Sequence, residues 1–521
     1  MMHECAWPRV PAAALVMLAI LSVPGWEALA DERRSFGIEV VDAATGRGVP
    51  LVTLQTPDRN RFVTDSAGLV AVDDPGLFGT QVYFEVVTTH GYNHPSDGFG
   101  FRGRAFTVEP GQVEQIQLER RNIAQRLYRT TGSGIYEHAV RLDRQTPIDK
   151  PLLNGQVAGS DSVLAAIYRG QIHWFWGDTS RMSYPLGNFH TTAATSPLPA
   201  EDGLHPDEGI DFDYYLRDDG FVRPVAEMPG DGPTWMGSPT VFVNEDGEER
   251  LYAIYTKIRN GLEAYQWGLS RWNDQKGIFD HVTTFEIAPP SHSQGHTFRH
   301  ADANGNAYIY FANPLAMTRV RDDVAAFSDP RQWEHYTPLV QDTSVADEQL
   351  DRDTDGNLVY RWKQGTPPLN QGDQDRLIDA GLMQPDEALI RLRDVETGRT
   401  VRAHTGSTYW NEYRQKWIMI FVEIGGENSH LGEVWYAEAD EPQGPWNHAR
   451  QILTHDRYDF YNPKHHPFFD QDGGRVIYFE GTYTNTFSGN PSATPRYEYN
   501  QVMYKLELDD PRLNLPAIDG Q

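Results

Sequence analysis

Asp161 and Asp178 stand at the two ends of one tight strand-turn-strand unit, with the turn at Arg169-Gly170 between them. A hairpin returns the chain to the level at which it began, so the two carboxyls are expected to be neighbours. Glu423 and Glu480 end similar units further along. Cleaving a glycosidic bond needs such a set: one carboxylate to activate water or to attack, and one carboxylic acid to protonate the leaving oxygen. The acid must stay protonated near neutral pH, which burial or a second carboxylate achieves. The expected roles are Asp161 as base, with Asp178, Glu480 or Glu423 as acid or sugar-orienting partner. Gly177-Asp178-Thr179 also fits a plain turn whose carboxylate caps backbone amides.

A second set of side chains permits different chemistry. His296, His300, His404, His465 and His466 sit near the starts of three such units. Three converging imidazoles can hold a divalent metal, and His296, His404 and His465 would be the set. With Lys257, Arg299 and nearby tyrosines they could instead neutralise a uronate carboxylate and abstract its α-proton, which is polysaccharide lyase chemistry. Each histidine alone serves as readily to bond sugar hydroxyls or to tie sheets together. Lys257, His296, Arg299, His404, Glu423, His465 and His466 are thus the expected substrate-binding residues, and no cofactor is required by the carboxylate chemistry. Trp174 and Trp176 alternate with Ile172 and should pack between sheets. Trp235, Trp267 and Trp410 lie nearer loops and are candidates for stacking on a sugar. Asp351-Arg352-Asp353-Thr354-Asp355-Gly356 begins like a calcium loop, but Trp362 stands where the closing Glu should be, so the segment reads as a polar turn.

The elements that must position these groups recur five times. Each unit is a strand, a polar turn and an apolar second strand: Asp161 to Ile167 with Ile172 to Trp176, Pro239 to Val243 with Leu251 to Tyr255, Thr297 to Ala301 with Tyr308 to Phe311, Ser407 to Trp410 with Trp417 to Val422, and His466 to Phe469 with Val476 to Phe479. Further strands follow, such as Ala264 to Ser270, Gly432 to Ala437 and Gln501 to Leu508. Small antiparallel sheets of this kind pack radially as the blades of a propeller. The fold class expected is all-β: a five-bladed β-propeller over 154–510, preceded by a small β-sandwich over 31–120. Residues 121–153 read as a linker, with a short helix at Asn122 to Arg129. Residues 341–400 read as an insertion between blades three and four, with a helix near Gln374 to Leu382. In such a ring the start of strand one and the end of strand two of every blade meet at one mouth, which is where the residues named above fall.

The chain begins with an export signal, 1–30. Ala12 to Val23 is an apolar run too short to span a bilayer, and Ala28-Leu29-Ala30 gives a cleavage signal. A secreted or periplasmic location follows, with no membrane span. The only cysteine, Cys5, lies in that signal, so the mature chain has no disulfide, thiolate metal site or cysteine nucleophile. A formal charge of -28 repels nucleic acid and anionic lipid and leaves a polysaccharide or oligosaccharide as the expected partner.

Gly159-Ser160-Asp161-Ser162 with Trp174-Phe175-Trp176-Gly177-Asp178-Thr179, and Asn462-Pro463-Lys464-His465-His466-Pro467 with Tyr478-Phe479-Glu480-Gly481-Thr482 and Tyr499-Asn500-Gln501-Val502-Met503-Tyr504, resemble the first and last blades of a bacterial propeller family that includes endo-D-arabinanases. More loosely, the layout is similar to five-bladed glycosidases such as arabinanases and fructan-cleaving enzymes. The resemblance implies catalysis by acidic residues at blade starts, and only Asp161 and Asp178 fall at matching positions. The "TG…VP…V" and "TDSAG" segments of the N-terminal part resemble carboxypeptidase-regulatory-like modules, which implies an accessory role.

Overall fold

The computed structural model describes residues 35–259, 261–289 and 295–516; the expected export signal and Cys5 lie outside these. The apolar second strands organise the molecule. Ile418, Met419, Ile420, Phe421 and Val422 are all buried, as are Ile172, Trp174, Phe175 and Trp176. A strand buried on both faces must have a sheet packed on each side, and five such strands in sequence close into a ring. Alternate residues serve alternate neighbours: Trp174 and Trp176 join a cluster with Tyr478 and Met503, whereas Phe175 packs with Tyr255 and Trp272. The remaining interfaces hold Ile254 with Ile309 and Trp333, Phe298 with Met419 and Trp435, and Ile420 with Phe460 and Phe479.

The blades follow chain order. Blade one is Leu164–Tyr168, Gln171–Trp176, Thr192–Pro197 and Asp213–Tyr214. Blade two is Thr234–Val243, Glu249–Arg259, Glu263–Asn273 and Ile278–Thr284. Blade three starts with His296–Ala301, Ala307–Ala312, Thr318–Arg321 and Glu334–Thr337, and blade four holds Ala403–Asn411, Lys416–Glu423, Val434–Ala439 and Trp446–Leu453. Blade five is Asp459–His465, Val476–Thr484 and Asn500–Glu507, completed by Gln125–Arg129. Innermost strands touch in succession from blade one to blade five, and Tyr461 and Asn462 of blade five bond to Asp161 and Ser162 across the closure.

Two expectations are corrected here. Residues expected as a short helix at Asn122 to Arg129 form instead the outer strand of blade five, Val502 pairing with Arg129 and Met503 with Tyr128. Buried Leu127 and Tyr128 draw this segment into the cluster between blades five and one, and that packing overrides local helical preference. Strand one of blade five runs over Asp459–His465 rather than His466 to Phe469. Pro467 has no N–H for a ladder, and Pro467–Phe469 forms a short 3-10 turn.

The insertion carries its helix at Gln371–Asp379, where Asn370 and Asp373 form a reciprocal capping box. It also lends Arg361–Gln364 to blade three and Ile390–Asp394, in parallel, to blade four. Before the propeller, two four-stranded sheets share one core in which Ile38, Val40 and Val70 of one meet Leu54, Phe84 and Phe106 of the other. No described helix is long and apolar enough to cross a membrane.

The ring-closing strand is also the dock for the N-terminal domain. Arg126 is fully buried and donates to the Pro50, His90 and Thr89 carbonyls at 3.0, 3.0 and 2.9 Å. Arg126→Met should leave these carbonyls without donors and cost about 3 kcal/mol, read as a fall of several degrees in Tm. An unchanged Tm would show that the contact holds nothing together.

Candidate active site

Blade one contains a break in its central hairpin. Val157–Ser160 pairs with Thr179–Arg181, and Leu164–Tyr168 pairs with Gln171–Trp176, but between Ser160 and Leu164 the ladder is interrupted. Asp161 and Asp178 occupy this break on opposite strands. The Asp161 N–H donates to the Asp178 carbonyl at 3.2 Å, and the Gly177 N–H to the Asp161 carbonyl at 2.9 Å. Ser162, with φ of 54°, turns the chain out of the ladder, so that its neighbours project away from the packed faces. Three other blades repeat the device. Bulges interrupt the innermost strands of blades two, four and five, with Ser238 and Asn462 also at positive φ.

The break opens on a cleft of about 160 Å3 lined by Asp161, Ser162, Trp176, Asp178, Trp235 and Met236 among others. Blade five supplies its far side. The Tyr461 hydroxyl donates to Asp161 Oδ2 at 2.8 Å, and Tyr499 lies beside both groups. Asn462 Nδ2 donates to Ser162 Oγ at 2.6 Å, and the Ser162 N–H reaches Thr482 Oγ1 at 3.0 Å. Burial raises the Asp161 carboxyl above the usual range, but the two tyrosines and the backbone hold part of that shift back. The donor beside Asp178 is the Trp235 indole. Burial, and then the Asp161 charge, push it up to about 7, with the Trp235 indole offsetting part. Asp178 Oδ1 and Trp176 Nε1 are both buried and find no hydrogen-bond partner among the described residues. An unmet acceptor and an unmet donor in one cleft suit a polar ligand. Gly177 keeps the carboxylate free: a Cβ there would lie 2.4 Å from Asp161 Oδ1.

The other expected site residues are not brought to this cleft. Glu480 is fully buried, accepting from Thr130 at 2.7 Å and bonded to His466 Nε2 at 2.9 Å. Burial pushes it up to about 7 and pushes Lys464, its cross-strand partner, down to about 7. His466 packs against Trp174 between blades five and one, with burial holding it well below the usual imidazole range. Glu423 is ion-paired with Arg399, Nη2 to Oε2 at 2.8 Å, and accepts from Trp435 at 3.0 Å. Lys257 is caged by Met228 and Gly232 carbonyls and Thr234 Oγ1. Arg299 is exposed and clamped to Asp322 at 2.7 and 3.1 Å. His465 bonds to Asp470 at 2.8 Å, His296 is buried with its pKa lowered by burial and then by Lys464, and His404 lines a different cleft. Among the described residues no group of three His, Cys, Asp or Glu is placed to hold a metal, so His296, His404 and His465 do not form the set considered above. His404 apart, these residues are kept from the cleft for one reason: lying at the mouth end of a strand does not decide which face a side chain takes, and several face a neighbouring blade.

Tyr461, Asn462 and Tyr499 were not identified from sequence. With the first strand of blade five expected from His466, they lie ahead of it; with the strand at Asp459–His465, Tyr461 and Asn462 fall near its start, at the mouth. Trp174 and Trp176 pack between blades as expected, and Trp235 borders the cleft.

No protein-family model matches the chain. No curated protein matches it either. Solved structures similar to it include an exo-β-1,3-galactanase from Phanerochaete chrysosporium with β-1,3-galactotriose, at 11% identity and a TM-score of 0.34, covering 74% of this chain. The chain spans 64% of the length of that galactanase. An exo-1,5-α-L-arabinanase from a bovine ruminal metagenomic library is similar at 10% identity and a TM-score of 0.32, over 67% of this chain and 93% of that one. A GH43 β-xylosidase/α-arabinofuranosidase from a compost microbial metagenome is similar at 11% identity and a TM-score of 0.33, over 74% and 95%. Likeness of this degree assigns neither family nor activity.

The raised pKa of Asp178 has a consequence for stability. Between the ordinary carboxylate range and about 7 the folded chain keeps a proton that the unfolded chain has lost, so stability falls as pH rises through that window. Asp178→Asn removes this loss, and its Tm should exceed that of the parent at about pH 8 but match it at about pH 4. A lower Tm at both would mean that the carboxylate is a structural cap.

Proposed function

We propose that the protein is an exported glycoside hydrolase that cuts a polysaccharide by carboxylate acid/base catalysis in the blade-one cleft. The observation that carries this is the Asp161–Asp178 pair: two neighbouring carboxyls, both raised by burial, of which Asp161 is held back by tyrosine donors and Asp178 is pushed up further by the Asp161 charge. Asp178, protonated to about 7, delivers its proton to the leaving glycosidic oxygen. Asp161, steadied by Tyr461 and Tyr499, is the ionised partner. It takes a proton from the attacking water, or adds first to the anomeric carbon before water releases the sugar. Either way the net change is the glycosidic C–O bond exchanged for a C–O bond to the water oxygen, the leaving oxygen taking the proton from Asp178 and one water consumed. The half-buried Trp235, which lines the cleft, offers an aromatic face on which a sugar can stack. Export is supported by Ala12 to Val23 and the Ala28-Leu29-Ala30 signal.

Lyase chemistry on the same scaffold fits less well. The groups it would use are already engaged: Lys257 by three oxygens, His466 by Glu480 and Arg299 by Asp322.

Asp161→Asn and Asp178→Asn should each lower kcat on the cleaved glycan on the order of 10³-fold. The parent rate should fall as pH rises through about 7, where Asp178 loses its proton, and fall again in acid at a pH above the ordinary carboxylate range. Reducing ends released without ultraviolet absorbance identify hydrolysis; unsaturated uronates would establish the lyase instead, and retention of glycan without products a binding protein. Gly177→Ala, whose Cβ collides with Asp161, should cost on the order of 10²-fold in kcat while the fold persists.

A further inference from the structure

The cleft at Asp161, about 160 Å3, is smaller than the roughly 300–1,000 Å3 of ordinary ligand sites. It can take the reacting sugar but not a chain. A cleft of about 700 Å3 opens elsewhere, between the insertion and blades three and four. One wall is the start of the insertion helix, Pro367 to Asp375. The other is the end of strand two of blade three, at Asn313, with the start of strand one of blade four, at Arg402 to Thr405. By blade topology these ends lie at the mouth that carries Asp161 and Asp178. Asn462 joins the two clefts: its N–H donates to Thr405 Oγ1 at 3.3 Å, and its side chain to Ser162 Oγ at 2.6 Å.

The wall is fixed in place. Buried Gln371 donates to the Val401 carbonyl at 2.9 Å and accepts from the Ala403 N–H at 3.2 Å, tying the insertion helix to the first strand of blade four. The lining combines apolar surface at Pro314, Pro367 and Leu369 with Arg402 and Asp375. Among the described residues neither charged side chain has an ion pair or a hydrogen bond. A free cation and a free anion facing one cleft leave it without a dominant charge, and suit hydroxyls that accept from one and donate to the other.

We propose that this cleft holds a second stretch of the same glycan, away from the bond cut at Asp161 and Asp178, so that the protein acts within long, neutral polysaccharide chains. The inference rests on the hydrolase reading above. The insertion is then a substrate-binding wall, and Asn462 the bridge over which the chain passes.

The test compares the parent with Arg402→Ala, Asp375→Ala and the double variant on xylan, arabinan and β-1,3-galactan, on their oligosaccharides of increasing length, and on polygalacturonate as an acidic control. For whichever neutral glycan is cut, kcat/KM of the double variant on the polymer should fall about tenfold, carried by KM, with a loss that shrinks as the oligosaccharide shortens. In an Asp161→Asn background, which binds without cutting, the same substitutions should weaken retention of that polymer in affinity gel electrophoresis. An equal loss at all lengths, or none, would overturn this inference and leave hydrolysis standing. Preference for polygalacturonate would overturn the neutral class. Neither cleavage nor retention of any glycan would sink both this inference and the hydrolase reading.

Discussion

The ring closes on a seam between blades five and one, and the cleft depends on that seam. Asp161, Ser162 and Asp178 come from blade one, whereas Tyr461, Asn462, Tyr499 and Thr482 come from blade five. These segments lie some three hundred residues apart in the chain and meet only because the ring is shut. What shuts it is burial. Gln125–Arg129 fills the outer edge of the last blade, with Leu127 and Tyr128 in the same cluster as Trp174 and Trp176. An open sheet edge and an exposed aromatic cluster would be the alternative, and both are costly in water. The Arg126 bonds extend this seam to the N-terminal domain, which makes that domain part of the ring's closure as well as a neighbour of it.

Desolvation governs the ionisable groups more strongly than the overall charge of -28 does. Burial is the leading cause of the shifts at Asp178, Glu480, Lys464 and His466 alike. What separates the groups is whether partners are present. Glu480 has Thr130 and His466, so the carboxyl serves packing between two blades. Asp178 borders open space and has an oxygen without a partner. A neutral carboxyl facing a cleft is chemistry in waiting; one enclosed by partners is structure.

Bulges turn a propeller into a scaffold for a site. A regular inner strand would send its side chains into the neighbouring blades, as Trp174 and Phe175 do in the second strand. Positive φ at Ser162, Ser238 and Asn462 breaks that alternation at the mouth and frees residues to face the opening. The insertion contributes differently. It adds a strand to each flanking blade and builds a wall over the mouth, with Gln371 as the tie.

The sequence by itself determined the all-β character, the blade rhythm, the packed role of Trp174 and Trp176, and the pairing of Asp161 with Asp178, because these follow from local periodicity and from the geometry of a single hairpin. It placed the insertion helix to within a few residues for the same reason. The closing strand was decided only by the tertiary structure, since Gln125–Arg129 pairs with residues near the far end of the chain. So was the outcome for Glu423, Glu480, Lys257, Arg299 and the histidines. Their types and positions suggested a shared pocket, but which face of a blade a side chain takes, and which partner it meets there, depends on neighbours supplied by other blades. Tyr461 and Asn462 belong to the mouth because the strand ends before Pro467 rather than containing it.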